Sequence, residues 1–475
     1  MALKFGTSGV RGLVTDMTDF ECYRYARAFG QVLLENSSAC GVMIAGDFRN
    51  SSPRIMTAVA TAFIDLGLKV INGGMIPTPA IALAAMDNSM GAVMVTGSHI
   101  PDDRNGIKFY MPWGEILKKD EQQISAAAEE IQKSQFQGKF ADDDALIAPH
   151  QLPAAEQSVT EHYCERYLTL FPNSALAGLK IVVYQHSTVL REIFPHVLSE
   201  LGAEVIRVGW STHFIPLDTE AVQNPEQLAQ WVMSHNADAL VSADGDGDRP
   251  LVVTSDGTVL RGDVLGVLAA KALAADAVAT PVSCNSQVEK SNYFQQVVRT
   301  RIGSPFVIEA MNELLDDYQA VVGYEANGGF LTGSTINIQN TELKPLPTRD
   351  AVLPALMVLV ALKSNSWSDM LEQLPNRMTD SLLLRNVNMK AGRELLTQMS
   401  SGLDSAQDAV GKTFGEIKDL NTTDGVRLTF TDDSVVHFRP SGNAPEFRAY
   451  IESDGPDTVT SLKDKAEQFL LSKIS

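Results

Sequence analysis

Cysteine is scarce in this chain, positive charge is in deficit, and no long apolar run occurs. Each shortage excludes something. The four cysteines, Cys22, Cys40, Cys164 and Cys284, are far apart and show no paired spacing. They read as free thiols of a reducing cytoplasm rather than a disulfide or metal framework. Lys and Arg total 38 against 58 Asp and Glu, a formal net charge of −20. That balance argues against nucleic acid and anionic membranes as partners. It leaves room for a small anionic substrate, because local arginines can override the mean field. No segment holds ~20 uninterrupted apolar residues, and the opening MALKFGTSGVRG has no apolar signal-peptide core. The expectation is a cytoplasmic protein. Nothing in the sequence specifies an oligomeric state.

What is present fits a soluble globular chain, with 44% hydrophobic and 20% charged residues over 475 positions. That length calls for roughly three or four domains. Strand–helix–strand patterns recur. GVMIAGDFRNSSPRIMTAVATAFIDLGLKVINGG passes from an apolar strand through a helix into LGLKVINGG, and LKIVVYQHSTVLREIFPHVLSELGAEVIRVG repeats the pattern. Leu66-Gly67 and Leu201-Gly202 mark equivalent helix ends about 135 residues apart. A third unit runs from LRGDVLGVLAAKALAAD to AVVGYEANGG. The expected fold is therefore α/β, with similar domains built on mainly parallel, mixed sheets. After QLPNRM the pattern changes. GVRLTFTDDSVVHFRPSG reads as a hairpin through Asp432-Asp433, FRAYIES as a further strand, and TVTSLKDKAEQFLLSKI as a closing amphipathic helix. This predicts a C-terminal α+β domain that moves as a separate unit. Domain boundaries fall at 1–154, 155–255, 256–372 and 373–475.

Five stretches carry chemistry. In MVTGSHIPDDRNGIK, Gly97 ends an apolar strand and Ser98 stands at its tip, where α/β folds display reactive groups. A nucleophile and a turn residue both fit. In ADGDGDRP, Asp244, Asp246 and Asp248 alternate with glycines after an apolar strand. Three carboxylates converging from one short loop repel without a counter-ion, which favours a hard cation, Mg²⁺ or Ca²⁺, over a solvated acidic turn. Arg249 and Ser255 stand where a calcium loop of the EF-hand type needs Gly and Glu. FRPSGNAPEFRAY offers a tight loop of backbone N–H groups flanked by Arg439 and Arg448, either a phosphate cradle or a hairpin turn with surface arginines. GYEANGGF presents Glu325 and Asn327 at a glycine-rich turn, suited to sugar hydroxyls or to an ordinary turn. FGTSGVRG sets Arg11 in a flexible glycine-rich setting, facing an anion or solvent.

Taken together and in this order, the five stretches resemble the α-D-phosphohexomutase superfamily, along nearly the whole chain. The resemblance implies three α/β domains plus the α+β domain around a central cleft. It implies that Ser98 is a phosphoserine which, with Asp244, Asp246 and Asp248, holds Mg²⁺, and that Arg249 closes the metal loop. Arg11, His99 and Lys108 correspond to residues beside the transferring group. Glu325 and Asn327 correspond to the sugar loop. Arg439, Ser441, Gly442 and Asn443, with Arg448 just beyond, correspond to the loop that grips the non-reacting phosphate. Three departures stand out. Ile100 replaces an asparagine, Asn327-Gly328-Gly329 replaces a serine followed by Gly-His, and Gly303-Ser304, with Arg301 before it, replaces a Gly-His. The implied activity interconverts mannose 6-phosphate and mannose 1-phosphate, with a hexose 1,6-bisphosphate as intermediate and activator. Glucose phosphates, alone or alongside mannose phosphates, are the alternative. A phosphatase using Ser98 and a non-catalytic sugar-phosphate sensor are the competing classes.

Overall fold

In the computed structural model, which describes residues 3–6, 9–440 and 446–474, the first strand–helix–strand unit is laid down as its sequence suggests. The all-apolar strand Gly41–Gly46 is buried along its length, and helix Ser52–Asp65 follows, with Pro53 in its first turn. Leu66 caps the helix, and Gly67 takes φ +79°, a left-handed turn that glycine adopts without steric strain. Strand Lys69–Met75 then pairs parallel with Gly41–Gly46. The second unit repeats this, through strand Lys180–His186, helix Ile193–Glu200, Leu201, Gly202 at φ +91° and strand Glu204–Trp210. Its two strands are also parallel.

The sheets are mixed, and their parallel share differs between domains. In the first domain, Gly41–Gly46 lies parallel to both Lys69–Met75 and Gly91–Val95. Arg104–Met111 and Val10–Leu13 then add antiparallel strands. A short return after the Ser98 loop forces that reversal, because a parallel connection would need a long crossover. The register fixes two side chains of the site. Val93, Val95, Ile107 and Phe109 belong to the core beneath one sheet face. Alternation therefore turns Lys108, paired with Met94, to the opposite face, and Arg11 pairs with Gly106 beside it. In the second domain the fully buried strand Ala239–Ala243 lies parallel to Lys180–His186 and ends directly at Asp244. Strand Pro250–Thr254 then returns antiparallel. In the third, strands Val321–Tyr324, Phe330–Thr332 and Leu346–Asp350 form an antiparallel run, leading into the apolar helix Val352–Leu362.

The chain divides into two compact units, residues 1–278 with 303–367, and residues 279–302 with 368–475. The second unit contains a five-stranded antiparallel sheet in the order Met378–Arg385, Glu446–Ser453, Val435–Pro440, Val426–Phe430, Ile417–Asn421. The Asp432-Asp433 hairpin forms as expected, with Thr429 opposite Val435. Every second residue of these strands, Val426, Leu428 and Phe430 or Phe447, Ala449 and Ile451, enters one core with helix Pro456–Ile474. An α+β unit results. No helix among the described residues is long and apolar enough to cross a membrane.

Candidate active site

Ser98 follows the end of strand Gly91–Val95 in a left-handed conformation, φ +56°, and is fully buried. A non-glycine residue in that region is strained and persists only where its surroundings over-determine it. Here Arg49, itself 1% exposed, supplies the constraint. Its Nη2 donates to the carbonyls of Ser98 (3.0 Å) and Ile100 (2.6 Å), and its Nη1 to those of Pro101 (2.7 Å) and Arg104 (3.1 Å). Its Nε donates to Asp47 Oδ2 at 3.1 Å, and its guanidinium carbon lies 3.9 Å from the Phe214 ring centre. Asp47 also accepts from Ser52 Oγ and Thr96 Oγ1, each at 2.7 Å, and Thr96 Oγ1 accepts from the Ser98 N–H at 2.7 Å. One planar donor fork thus shapes the whole loop.

The Ser98 hydroxyl donates to Asp244 Oδ2 at 2.6 Å. Asp244, Asp246 and Asp248 are all buried and offer ligand atoms within 4.8 Å of one another. Asp244 Oδ1 accepts from the backbone N–H groups of Asp248 and Arg249, which closes the loop on itself. Lys108 Nζ, 2% exposed along its side chain, donates to Asp246 Oδ2 at 2.6 Å and Asp248 Oδ2 at 2.7 Å. Thr78 Oγ1 donates to Asp246 Oδ2 at 2.5 Å. Burial pushes the Asp244 carboxyl well above the ordinary carboxylate range, and the Asp246 and Asp248 charges push the same way. Burial acts likewise on Asp248, but Arg349, Lys108 and Arg249 outweigh it and hold that carboxyl far below the range. Burial also opposes the charge on Lys108, yet Asp246 and Asp248 prevail and raise its pKa. Asp246 Oδ1 and Asp248 Oδ1 have no hydrogen-bond partner among the described residues. Two buried carboxylate oxygens without hydrogen bonds, in a cluster of three converging aspartates, fit a hard divalent cation.

His99, Arg249 and Arg11 stand around this cluster. Arg249 Nη1 donates to His99 Nδ1 at 2.9 Å. Burial, then the charges of Arg249 and Arg11, lower the His99 pKa to about 2, so the ring is neutral. Burial and the neighbouring Arg249 and Arg349 lower Arg11 to about 10. Glu325 faces Arg349, whose Nη1 donates to its Oε2 at 2.9 Å. Asn327 folds back on its own turn, its Oδ1 accepting from the Gly329 N–H at 2.9 Å. The structure thus brings Ser98, His99, Lys108, the three aspartates and Arg249 together, and links Glu325 to them through Arg349. Ser304 is buried with its Oγ donating to Glu115 at 2.7 Å. In the second unit, Arg301 Nε donates to the Thr423 carbonyl at 3.3 Å, and Arg439 Nε donates to Asp424 Oδ1 at 2.9 Å. Arg439 and Arg448 pair across neighbouring strands, while Ser441, Gly442 and Asn443 lie outside the described residues. Arg49, Arg349 and Thr78 escape a motif search. GDFRNSS and PTRDA each place an arginine within two residues of an aspartate at the edge of an apolar run, a pattern that surface arginines share.

A serine hydroxyl held at a strand tip against three carboxylates and a lysine suits phosphoryl transfer, and the α/β domains have the architecture of a phosphohexomutase. Comparison with known proteins agrees. Residues 2–135 match the family description "Phosphoglucomutase/phosphomannomutase, alpha/beta/alpha domain I", residues 161–257 its domain II and residues 261–378 its domain III. A phosphomannomutase of Salmonella muenchen is 40% identical over 474 residues, covering 99% of this chain and 96% of that protein. One from Sinorhizobium fredii is also 40% identical, covering 97% of each chain. A phosphoglucosamine mutase of Desulforamulus reducens is 30% identical over 99% of each. The chain belongs to the phosphoglucomutase/phosphomannomutase family. Among solved structures, a family protein from Burkholderia thailandensis shares the fold with a TM-score of 0.76 at 20% identity, over 98% of this chain and 97% of its own.

Proposed function

We propose that this chain is a phosphomannomutase, interconverting mannose 6-phosphate and mannose 1-phosphate through a phosphoserine at Ser98. The observation that carries the reading is the buried Ser98 hydroxyl 2.6 Å from Asp244, inside the lysine-bridged acidic loop. The two relatives at 40% identity, both named phosphomannomutase, support the choice of mannose. In the forward step the Ser98 Oγ–P bond breaks and a bond forms from phosphorus to a hydroxyl oxygen of the hexose monophosphate. The proton of that hydroxyl passes through the acidic loop to Ser98 Oγ, Asp244 being the carboxylate within reach. The resulting hexose 1,6-bisphosphate turns end for end and returns its other phosphoryl group to Ser98, and the same bisphosphate primes an unphosphorylated enzyme. Lys108 and Arg11 neutralise charge on the transferring group, as a phosphoryl-transfer transition state requires. Neutral His99 buttresses Arg249. Mg²⁺, held by Asp244, Asp246, Asp248 and phosphorylated Ser98, would supply further positive charge against the phosphoryl oxygens.

Glu325 and Asn327 form the sugar turn, and Arg301 and Ser304 are further substrate-binding residues of this reading. Arg439, Ser441, Gly442, Asn443 and Arg448 form the cradle for the non-reacting phosphate. The domains follow the boundaries 1–154, 155–255, 256–372 and 373–475, the last moving so that one cradle serves either end of the sugar. The sparse, widely spaced cysteines suit a cytoplasmic enzyme. The test is kcat/KM on mannose 1-phosphate and glucose 1-phosphate side by side, with Mg²⁺ and a trace of hexose bisphosphate. A tenfold preference for mannose, about 1.4 kcal/mol of discrimination at C2, supports the reading. The family description names both sugars, and near-equal values would make this a dual phosphomannomutase/phosphoglucomutase. Release of free phosphate instead would make it a hydrolase.

A further inference from the structure

Arg349 is 3% exposed, and its guanidinium divides between two loops of different domains. Nε (3.1 Å) and Nη2 (2.7 Å) donate to Asp248 Oδ2, and Nη1 donates to Glu325 Oε2 at 2.9 Å. Its place is built with care. A Cβ on Gly329 would lie 2.5 Å from Arg349 Cδ and 2.7 Å from Cγ, so the absent side chain at 329 leaves the channel for the arginine stem. Behind it, Asp350 accepts hydrogen bonds from Tyr163 (2.7 Å) and Tyr167 (2.5 Å), two buried tyrosines of helix Ser158–Leu168, and from the Val352 N–H at 2.9 Å. These contacts lock the backbone that carries Arg349. A purely structural role does not call for this arrangement, since a buried ion-pair triad is often replaceable by packed apolar residues without loss of stability.

We propose that Arg349 is a positioning residue that couples the acidic loop to the Glu325 turn, so that cation binding at one and sugar binding at the other depend on each other. All three donors that bond to the Asp248 carboxylate, from Lys108 and Arg349, go to Oδ2, so Oδ1, with Arg249 Nε 3.6 Å away and no hydrogen bond, is the oxygen open to a cation. The arm on Glu325 divides the guanidinium charge between the two carboxylates. Release of Glu325 concentrates that charge on Asp248 and weakens the cation. With Asp248 engaged by a cation, more of the Arg349 charge would fall on Glu325, and Nη1 would hold that carboxylate more firmly for sugar hydroxyls. Coupling of this kind is reciprocal. The inference rests on the mutase reading only in naming a sugar as the ligand of Glu325.

A double-mutant cycle tests it on the full chain, read first by calorimetric Mg²⁺ titration without sugar. E325Q touches none of the three aspartates, and is expected to weaken Mg²⁺ at least threefold with Arg349 present. In an R349M background the same change is expected to have less than 1.5-fold effect. A shift of equal size in both backgrounds, or none with Arg349 present, overturns the proposal. R349K keeps the charge but not the fork, so it serves if R349M does not fold. It is expected to raise KM for mannose 1-phosphate tenfold or more while changing kcat less than threefold. Wild-type KM in R349K overturns the proposal. The Mg²⁺ cycle reads the bridge whether or not hexose phosphates turn over, while lack of turnover by the wild type would count against the mutase reading alone.

Discussion

Replacing Arg49 by Met removes the side chain that shapes the Ser98 loop. Five acceptors lose a donor: the carbonyls of Ser98, Ile100, Pro101 and Arg104, and Asp47 Oδ2, which keeps Thr96 Oγ1. Hydrogen bonds from a charged donor contribute about 1.5–3 kcal/mol each, and breaking one side of a buried ion pair costs about 3–5 kcal/mol. These terms overlap, because the same guanidinium makes them all. Asp47, already raised by burial despite Arg49, offsets part of the loss by taking a proton. The free energy holding the loop closed should therefore fall by about 3–5 kcal/mol, which is two to three and a half orders of magnitude in local opening. Amide hydrogen exchange reads this directly. The N–H groups of Ser98, Ile100 and Arg104 are bonded within the loop, to Thr96 Oγ1, Gly97 O and Pro101 O. They should exchange at least a hundredfold faster in R49M, while the strands of the second unit keep their protection. R49K should fall between, since three ammonium donors cannot serve five acceptors. Wild-type exchange at those amides in R49M would refute the reasoning.

Ser98→Ala should abolish turnover yet retain binding of mannose 1-phosphate by calorimetry; unchanged turnover would remove Ser98 from the chemistry. Gly329→Ala should force the Arg349 stem aside, lowering stability by about 1–3 kcal/mol and raising KM; a wild-type melting midpoint with wild-type KM would contradict the packing. Burial lowers His99 to about 2 and His186 and His437 to about 4. The unfolded chain takes up these protons below about pH 6.5 while the folded one does not, so their share of stability is held above that pH and lost on acidification. Unfolding free energy measured from pH 7.5 to 5 should show a shallower acid decline in His437→Gln than in the wild type, and an equal or steeper decline would reverse the sign. EDTA should abolish turnover and excess Mg²⁺ restore it, with Asp246→Asn refractory to that rescue; full activity in EDTA would exclude a cation from the acidic loop.

The strand tips at Ser98 and Asp244, the paired helix ends at Leu66-Gly67 and Leu201-Gly202, and the alternating C-terminal strands are all legible in the sequence. Each depends on local preference: apolar runs bury, glycine turns where φ is positive, and period two selects a face. The acidic loop is legible for the same reason, since its three carboxylates lie within five residues. Arg49 and Arg349 are not legible in this way. Their partners lie 2 to 55 residues away for Arg49, and 24 and 101 residues away for Arg349. No local rule distinguishes a buried fork from a surface arginine. Gly329 is visible as a departure, but only the packed structure shows that the Arg349 stem fills its place. The sequence alone was enough to place the candidate groups Ser98, Asp244, Asp246 and Asp248 on their strand tips and loops. Tertiary structure alone decided which charges compensate which, because Coulombic and hydrogen-bond partners in a buried site are set by distance in space, across domains, and not along the chain.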